Sequence, residues 1–119
     1  MESSSNEFLR GTLKTIILKL LHERGQMYGY EITQDVKERT NGEIKLTFGA
    51  LYPVLHKLEQ EGLLITNSVE VDGRLRKYYA LTPVGVETAY QKVSDFERFM
   101  EAMQSLLNPA LPQLGLSVG

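Results

Sequence analysis

The chain has 119 residues, enough for one domain, and its lack of cysteine excludes disulfides and thiolate-bound metal ions. It contains two histidines and none of the HExxH, GxSxG or glycine-rich phosphate-binding patterns, so no enzymatic activity, catalytic residue, cofactor or metal site is expected. The net charge of −2 arises after residue 83, because residues 1–83 are neutral overall, and nucleic-acid binding would therefore depend on a local basic patch.

The first half of the chain is predicted to be helical. Phe8–Arg24 carries apolar residues at helical spacing, and Gly25 ends this helix. Leu18 lies off the apolar stripe, which favours a second contact on the far side of the helix over an incidentally exposed leucine. The next three segments are interpreted as a connection at Gln26–Gly29, a second helix at Tyr30–Thr40 and a short strand at Glu43–Leu46.

A third helix is predicted to follow Thr47, a suitable N-cap, and to end at Glu61-Gly62. Its inward face is formed by Leu51, Val54, Leu55 and Leu58, which recur at helical spacing. Pro53 lies beyond the first turn, where it crowds the carbonyl group of Gly49, and a start one or two residues after Thr47 is expected to ease this strain.

Two strand-like runs joined by Asp72-Gly73 predict a hairpin with a two-residue turn, in which both turn residues adopt positive φ. Such a loop pairs Val71 with Arg74 and Val69 with Arg76. Arginines then share one face of the ribbon, whereas Leu75, Lys77, Tyr79 and Leu81 share the other, with leucine and tyrosine expected toward the core. A helix followed by a hairpin with a basic tip is typical of a winged helix, although an ordinary packing helix and a charged turn are the alternatives.

The last helix is predicted to run from Thr82-Pro83 to about Leu107. Its apolar residues follow a near-heptad spacing, which suggests that a second copy of the chain packs against it. The expected organisation is a winged-helix DNA-binding domain at 8–82, a dimerisation helix at 83–107 and a flexible tail at 108–119, in which Leu111, Leu114 and Leu116 are candidates for docking.

A DNA-binding surface is predicted at the start of the third helix and at the tip of the hairpin. Hydroxyl groups there can donate to phosphates, His56 and Lys57 can reach phosphates or base edges, and small residues allow close approach of the backbone. Because no arginine or asparagine on this helix offers bidentate base contacts, specificity is expected from apolar contacts, water and DNA shape. The predicted DNA-binding residues are Thr47, Gly49, Ala50, Tyr52, Pro53, His56, Lys57, Arg74, Arg76 and Lys77.

The segment GALYPVLHKLEQEGLL (Gly49–Leu64) resembles the helix-to-wing motif of the PadR family of bacterial transcriptional regulators. GRLRKYYALTPVG (Gly73–Gly85) is similar to that family's wing and its exit into the last helix, and YGYEI (Tyr28–Ile32) to its second-helix entry. The resemblance covers about Leu9–Leu107. It implies a mainly α-helical winged helix-turn-helix with a small β-hairpin and one long C-terminal dimerisation helix. It also implies a cytoplasmic homodimeric repressor that binds an inverted-repeat operator in double-stranded DNA. No membrane partner is expected, because the longest purely aliphatic runs, Ile16–Leu18 and Leu63–Ile65, are far too short to span a bilayer. The residues matched to the family's groove-facing helix and basic wing are Tyr52, Pro53, Lys57, Arg74, Arg76 and Lys77.

In some short members of this family, planar aromatic compounds stack on an aromatic residue of the last helix, in a pore between the subunits. Phe96 falls at that position, but plain dimer core is the favoured interpretation of Phe96, Phe99, Met100 and Met103, and the pore is the alternative. The residues expected at the dimer interface or ligand pore are Leu18, Tyr90, Val93, Phe96, Phe99, Met100, Met103 and Leu107. Two other functions stay open: a winged helix used only for protein–protein contacts, and a small-molecule-binding dimer without DNA function.

Overall fold

Residues 4–109 form four helices around a small antiparallel sheet, as the sequence predicts for a winged helix. The computed structural model describes residues 4–109, with side chains from Glu7 onward, so the three leucines of the predicted tail lie outside the described residues. The helices are α1 (Ser4–Arg24), α2 (Gly29–Arg39), α3 (Phe48–Gln60) and α4 (Pro83–Leu107), and the strands are β1 (Gln26–Tyr28), β2 (Leu64–Val71) and β3 (Arg74–Leu81). None of the helices within these residues is long and apolar enough to cross a membrane.

The hairpin forms with the predicted register. Asp72 and Gly73 both have positive φ, 52° and 79°, and Val71 faces Arg74 across the ladder. Because both torsions lie in the left-handed region, the turn follows the twist of the strands that it joins.

The interpretation of Gln26–Gly29 as a connection is wrong. Gln26–Tyr28 is the strand β1, which pairs antiparallel with β3 and gives the sheet order β1-β3-β2. Three residues are too few to show an alternating pattern, and their partners in β3 lie far along the chain, so no local signal marks this strand.

The predicted short strand at Glu43–Leu46 is also wrong. This segment follows a turn at Asn41 and Gly42, both of which have positive φ, and it pairs with no strand. The Thr40 hydroxyl group instead accepts a hydrogen bond of 3.0 Å from the Ile44 amide. A local side-chain contact therefore holds the backbone where the sequence suggests a ladder.

The core lies where α1 meets α3, the sheet and α4. Ile17 and Leu18 of α1, Leu51 and Leu55 of α3 and Tyr79 of β3 are almost completely buried. α1 packs against α3 and β3 as well as against α4, so it is covered on more than one side. The expected second contact of Leu18 is therefore confirmed.

α3 begins with the predicted cap: the Thr47 hydroxyl group accepts a hydrogen bond of 3.1 Å from the Ala50 amide. Its end is marked by Gly62 with φ 80° and by a hydrogen bond from the Leu63 amide to the Leu58 carbonyl group. Pro53 is nevertheless the sixth residue of the helix. The helix starts at Phe48, one residue after Thr47 as expected, and Pro53 still lies inside it.

The start of α4 is attached to the junction of α3 and β2. Thr82 is its N-cap, as predicted, and its hydroxyl group accepts from the Gly85 amide at 3.0 Å. The same hydroxyl group donates to the Gly62 carbonyl group at 2.7 Å, and the Thr82 amide donates to the Leu63 carbonyl group at 3.0 Å. These hydrogen bonds position α4 relative to the end of α3.

The far end of α4 extends beyond the packed part of the chain. The radius of gyration is 16.6 Å, whereas a compact chain of this length has about 13.5 Å. Every residue from 97 to 107 is exposed except Met103, which is half-buried. The apolar residues at this end therefore have few partners within their own chain.

Candidate nucleic-acid interface

One face of α3 is buried and the opposite face is exposed at its N-terminal end. Leu51, Leu55 and Leu58 have at most 1% of their surface exposed. The predicted outward residues Thr47, Gly49, Ala50, Pro53, His56 and Lys57 are all exposed. Because the Thr47 hydroxyl group accepts the cap hydrogen bond, its proton is still available for a phosphate. The exposed end presents small side chains and helix amide groups, which suits close approach to a polyanion.

Tyr52 differs from the other predicted residues of α3 because it is half-buried. A Cβ atom added to Gly29 would lie 2.2 Å from the Tyr52 hydroxyl oxygen, so this tyrosine is seated directly on the first residue of α2. Its ring also contacts Phe48 and His56, with centroids 5.8 and 6.1 Å apart. Tyr52 thus fixes α3 against α2. Phe48, which is 49% exposed, extends the surface in a way that the sequence reading missed.

The wing is the hairpin tip formed by residues 70–77, and its three predicted cations are not equivalent. Arg74 and Lys77 are exposed, whereas Arg76 is half-buried and holds its guanidinium carbon 4.1 Å from the centroid of the Tyr28 ring. A hydrogen bond with Tyr78 raises the pKa of Arg76 above its ordinary value. Arg76 is therefore oriented by its own chain. The Lys77 ammonium group lies 5.5 Å from the centroid of the Tyr79 ring, although the side chain as a whole is exposed.

Leu75 was expected on the core side of the hairpin, and this expectation is wrong. It shares a face with Tyr79, but it is 76% exposed while Tyr79 is 1% exposed. The tip extends past the helices that cover the rest of this face, so nothing shields Leu75. Glu70 lies opposite Leu75 in the ladder and Asp72 is in the turn, so two carboxylates partly offset the three cations.

Two further basic residues lie beside the start of α3. Arg10 and Lys45 line a depression of about 460 Å³ together with Thr47, Gly49 and Pro53. Neither residue is among those predicted from the sequence. The position of Lys45 two residues before the N-cap was the available signal, whereas Arg10 reaches this place only through the packing of α1 on α3.

The helix α2, whose first residue is Gly29, is attached to α1 by ion pairs that centre on a buried carboxylate. The Asp35 carboxylate is 93% buried and accepts from Arg24 at 2.8 Å and from Arg39 at 3.3 Å. Arg39 also pairs with Glu23 of α1, and its hydrogen bond lowers the pKa of the Glu23 carboxyl group. These pairs fix the orientation of α2 and, through Gly29, the seat of Tyr52.

The predicted interface residues of α4 fall into two groups. Tyr90, half-buried Val93 and Phe96 lie on the part of the helix that packs on α1, where Tyr90 makes an edge contact with His22 at 4.9 Å. The second group is mostly exposed and consists of Phe99, Met100, half-buried Met103 and Leu107. The Phe96 and Phe99 rings are stacked with centroids 6.3 Å apart. Leu18 has no exposed surface, so it offers nothing to a second chain in this conformation.

Within residues 4–109 there is no group of three histidine, aspartate or glutamate side chains arranged to hold a metal ion. The candidate interface is thus built from cations, small residues, rings and helix amide groups. These groups bind phosphates and bases, and the surface resembles those that contact a nucleic-acid backbone.

Comparison with known proteins supplies relatives for this fold. Residues 17–91 match the sequence model of the family described as "Transcriptional regulator PadR-like family". The chain is 34% identical over 97 residues to a protein of Lysinibacillus sphaericus named uncharacterized protein X, covering 81% of this chain and 88% of that one. It is 36% identical over 81 residues to transcriptional regulator Rv3488 of Mycobacterium tuberculosis H37Rv, covering 66% and 70%.

Solved structures agree with these matches. A transcriptional regulator of Clostridium thermocellum has a TM-score of 0.78 and 30% identity, over 86% of this chain and 99% of that one. A PadR family transcriptional regulator of Eggerthella lenta has a TM-score of 0.75 and 27% identity, over 88% and 89%. Both superpositions extend over most of the chain, so the predicted fold class is confirmed.

Proposed function

The chain belongs to the PadR-like family of transcriptional regulators, and from this membership we propose that it is a sequence-specific DNA-binding repressor. In this proposal α3 enters the major groove, the wing contacts the flanking DNA, and α4 joins two copies of the chain. Residues 8–82 then serve DNA binding and residues 83–107 serve dimerisation.

The observation that carries the DNA-binding part is a chain of contacts from the wing to α3. Arg76 stacks on Tyr28, the next residue is Gly29, and Gly29 seats Tyr52 of α3. The wing and the exposed face of α3 are thus connected through the start of α2. A rigid link of this kind supports simultaneous contact with a groove and its flanking backbone.

The DNA-binding proposal is tested with the double variant Arg74→Glu/Lys77→Glu, which leaves the stacked Arg76 in place. The control is Lys37→Glu, which reverses an exposed charge near the end of α2. The probe is a duplex that the wild-type protein selects from a randomised pool. Fluorescence anisotropy should show that the double variant loses at least about a hundredfold in affinity, while the control binds like the wild type.

Salt dependence provides a second measure. Each lost phosphate contact makes the negative slope of log K against log salt shallower by about one. The double variant removes two cations from each of two chains, so the slope of its dimer should be shallower by about four. Wild-type-like affinity of the double variant at physiological salt would contradict the proposed role of the wing. A wild-type protein that binds no duplex at low salt would instead favour a protein–protein module or a small-molecule-binding dimer.

Dimerisation through α4 is supported by its uncovered apolar surface. Phe99 is 57% exposed and Met100 is 46% exposed, on a stretch where nearly every residue faces solvent. The double variant Phe99→Glu/Met100→Glu should sediment as a monomer. The matched control is Ile65→Glu on β2, because Ile65 is equally exposed at 57% but lies outside this surface. A dimer that survives the Phe99/Met100 change would refute this interface.

A two-fold symmetric dimer would bind an inverted repeat whose half-sites lie about 34–36 Å apart or a multiple of this. The stacked rings of Phe96 and Phe99 beside Met100 and Met103 support release by a planar aromatic effector in the interface. The chain has six tyrosines and no tryptophan, so quenching of tyrosine fluorescence by such a compound is a direct assay. Loss of quenching in Phe96→Ala is expected.

A further inference from the structure

Leu75 is the most exposed of the large apolar side chains noted between residues 7 and 109, at 76%, and it is at the end of the wing. The register puts it opposite Glu70, one residue after Arg74 and two residues before Lys77. Side chains alternate along a strand, so Arg74 projects from one face of the ribbon and Leu75 and Lys77 from the other. Leu75 therefore shares its face with Lys77, whereas Arg74, the residue before it, belongs to the opposite face.

This arrangement suits a ribbon whose edge enters a narrow groove. Arg74 on one face and Lys77 on the other can reach phosphates on the two sides of the minor groove. Leu75 lies closer to the turn than Lys77, so it then enters deeper, toward the sugars and base edges. A carboxylate in that place would be repelled by the phosphates, whereas a leucine is not. The cations on the two faces thus favour a nucleic-acid duplex as the occupant of this apolar tip, and Glu70 beside Leu75 offsets part of their charge.

We propose that Leu75 lies in the DNA minor groove and makes the wing discriminate against G·C base pairs beneath it. This inference rests on the proposed DNA-binding function and adds a specificity determinant to it. The minor groove of A·T pairs presents only acceptors, whereas G·C adds the guanine 2-amino donor. Leucine has no acceptor, so it displaces the water that satisfies this amino group and leaves the donor unpaired.

The expected loss of affinity at a G·C pair follows from the free-energy cost of burying an unpaired hydrogen-bond donor. That cost corresponds to about a five- to thirtyfold loss of affinity at a base pair covered by the wing. The discrimination is exerted through the minor groove alone. Replacing guanine by inosine, which lacks the 2-amino group and keeps the major-groove pattern, therefore removes it.

The experiment uses the full chain and the duplex selected by the wild type, with the pairs under the wing located by hydroxyl-radical footprinting. Three versions of the duplex carry A·T, G·C or I·C at those pairs. Wild type should bind the A·T and I·C versions within about twofold of each other and the G·C version at least about fivefold more weakly. In Leu75→Ala the ratio of the affinities for the A·T and G·C duplexes should fall below about twofold, and Leu75→Met should keep the wild-type ratio.

Val69→Ala is the control, because Val69 is an exposed apolar residue of the same hairpin on the opposite face from Leu75. It should retain the full G·C penalty. The inference is overturned if Leu75→Ala keeps the wild-type ratio of affinities for the A·T and G·C duplexes, because the preference would then come from Arg74 or Arg76 and the width of the groove. It is also overturned if the G·C duplex binds best, since Glu70 would then be accepting from the guanine amino group.

Two outcomes separate this inference from the function on which it rests. A wild type that binds the selected duplex but treats all three versions alike refutes the role of Leu75 and leaves DNA binding intact. A wild type that selects no duplex refutes both. Sedimentation of Leu75→Ala without DNA completes the test, because a change in oligomeric state would assign the leucine to a protein contact instead.

Discussion

The substitution Gly85→Ala tests whether the junction between α4 and α3 is as tight as it looks. Gly85 is the third residue of α4 and is buried against the backbone of Leu63. A Cβ atom at this position would lie 2.1 Å from the Leu63 carbonyl oxygen and 3.1 Å from its carbonyl carbon. The obstacle is backbone, so no side-chain rotation can relieve it, and α4 must move by about 1 Å to restore an ordinary contact.

The expected cost follows from what that movement disturbs. In a helix, alanine is favoured over glycine by about 0.5–1 kcal/mol. Against this gain, overpacking costs about 1–3 kcal/mol. The three hydrogen bonds through Thr82 lie at the same junction, and each contributes about 1 kcal/mol. Gly85→Ala should therefore lower the free energy of unfolding by about 2–3 kcal/mol, which is large beside a total of about 5–15 kcal/mol.

Urea unfolding followed by circular dichroism measures this change, with all variants at one protein concentration because a dimer's stability depends on it. The matched control is Gly11→Ala in α1, where an added Cβ atom meets no described atom within 4 Å. That control should be neutral or stabilised by about 0.5–1 kcal/mol. If Gly85→Ala proves as stable as Gly11→Ala, the tight junction is refuted.

Three further predictions concern polar groups, two of them buried. Tyr79→Phe should be neutral or more stable by up to about 1 kcal/mol in urea, because the buried hydroxyl group has no hydrogen-bond partner among residues 4–109. Burial raises the pKa of Tyr79, so stability does not depend on this group below about pH 10 and falls as pH rises from there through the higher folded value, a fall that Tyr79→Phe should lack. Asp35→Asn should lower the urea midpoint by the equivalent of about 1–3 kcal/mol, since both arginines lose a charged acceptor. The Glu23 pKa is lowered mainly by its hydrogen bond with Arg39, so that pair's contribution holds above about pH 4.5 and fades as pH falls through the lower folded value. Glu23→Gln should accordingly flatten the decline in melting temperature between about pH 5 and about pH 3.

The features that the sequence predicted correctly are those set by neighbouring residues. Asp72-Gly73 fixed the hairpin register, because only a few residue types accept two successive positive φ angles. Thr47 and Thr82 each cap a helix with a hydrogen bond to the amide group three residues on. In each case the decisive contact spans at most three residues, so the order of the amino-acid types in that short segment is enough to predict the local backbone geometry.

The features that escaped prediction depend on contacts distant in sequence. Tyr28 belongs to a strand because β3 lies beside it, and Leu75 is exposed because the helices end before the hairpin does. Tyr52 looked like an outward hydroxyl group by helical spacing, yet it is seated on Gly29. Of the predicted interface, Phe99 and Met100 are exposed, whereas Leu18 is completely buried within its own chain.

Both ends of α3 are attached to other helices, the start to α2 and the end to α4. Its start is fixed through Tyr52 to Gly29, and its end through Gly62 and Leu63 to the cap of α4. In a dimer joined through α4, a change in the angle between the two long helices would therefore turn each α3 by way of Thr82. A close-packed junction moves as a rigid unit. Such a rotation would therefore change the distance between the two α3 helices and leave each helix itself unbent. Variants that loosen this junction, Gly85→Ala among them, should then weaken binding to a two-half-site duplex more than binding to a single half-site.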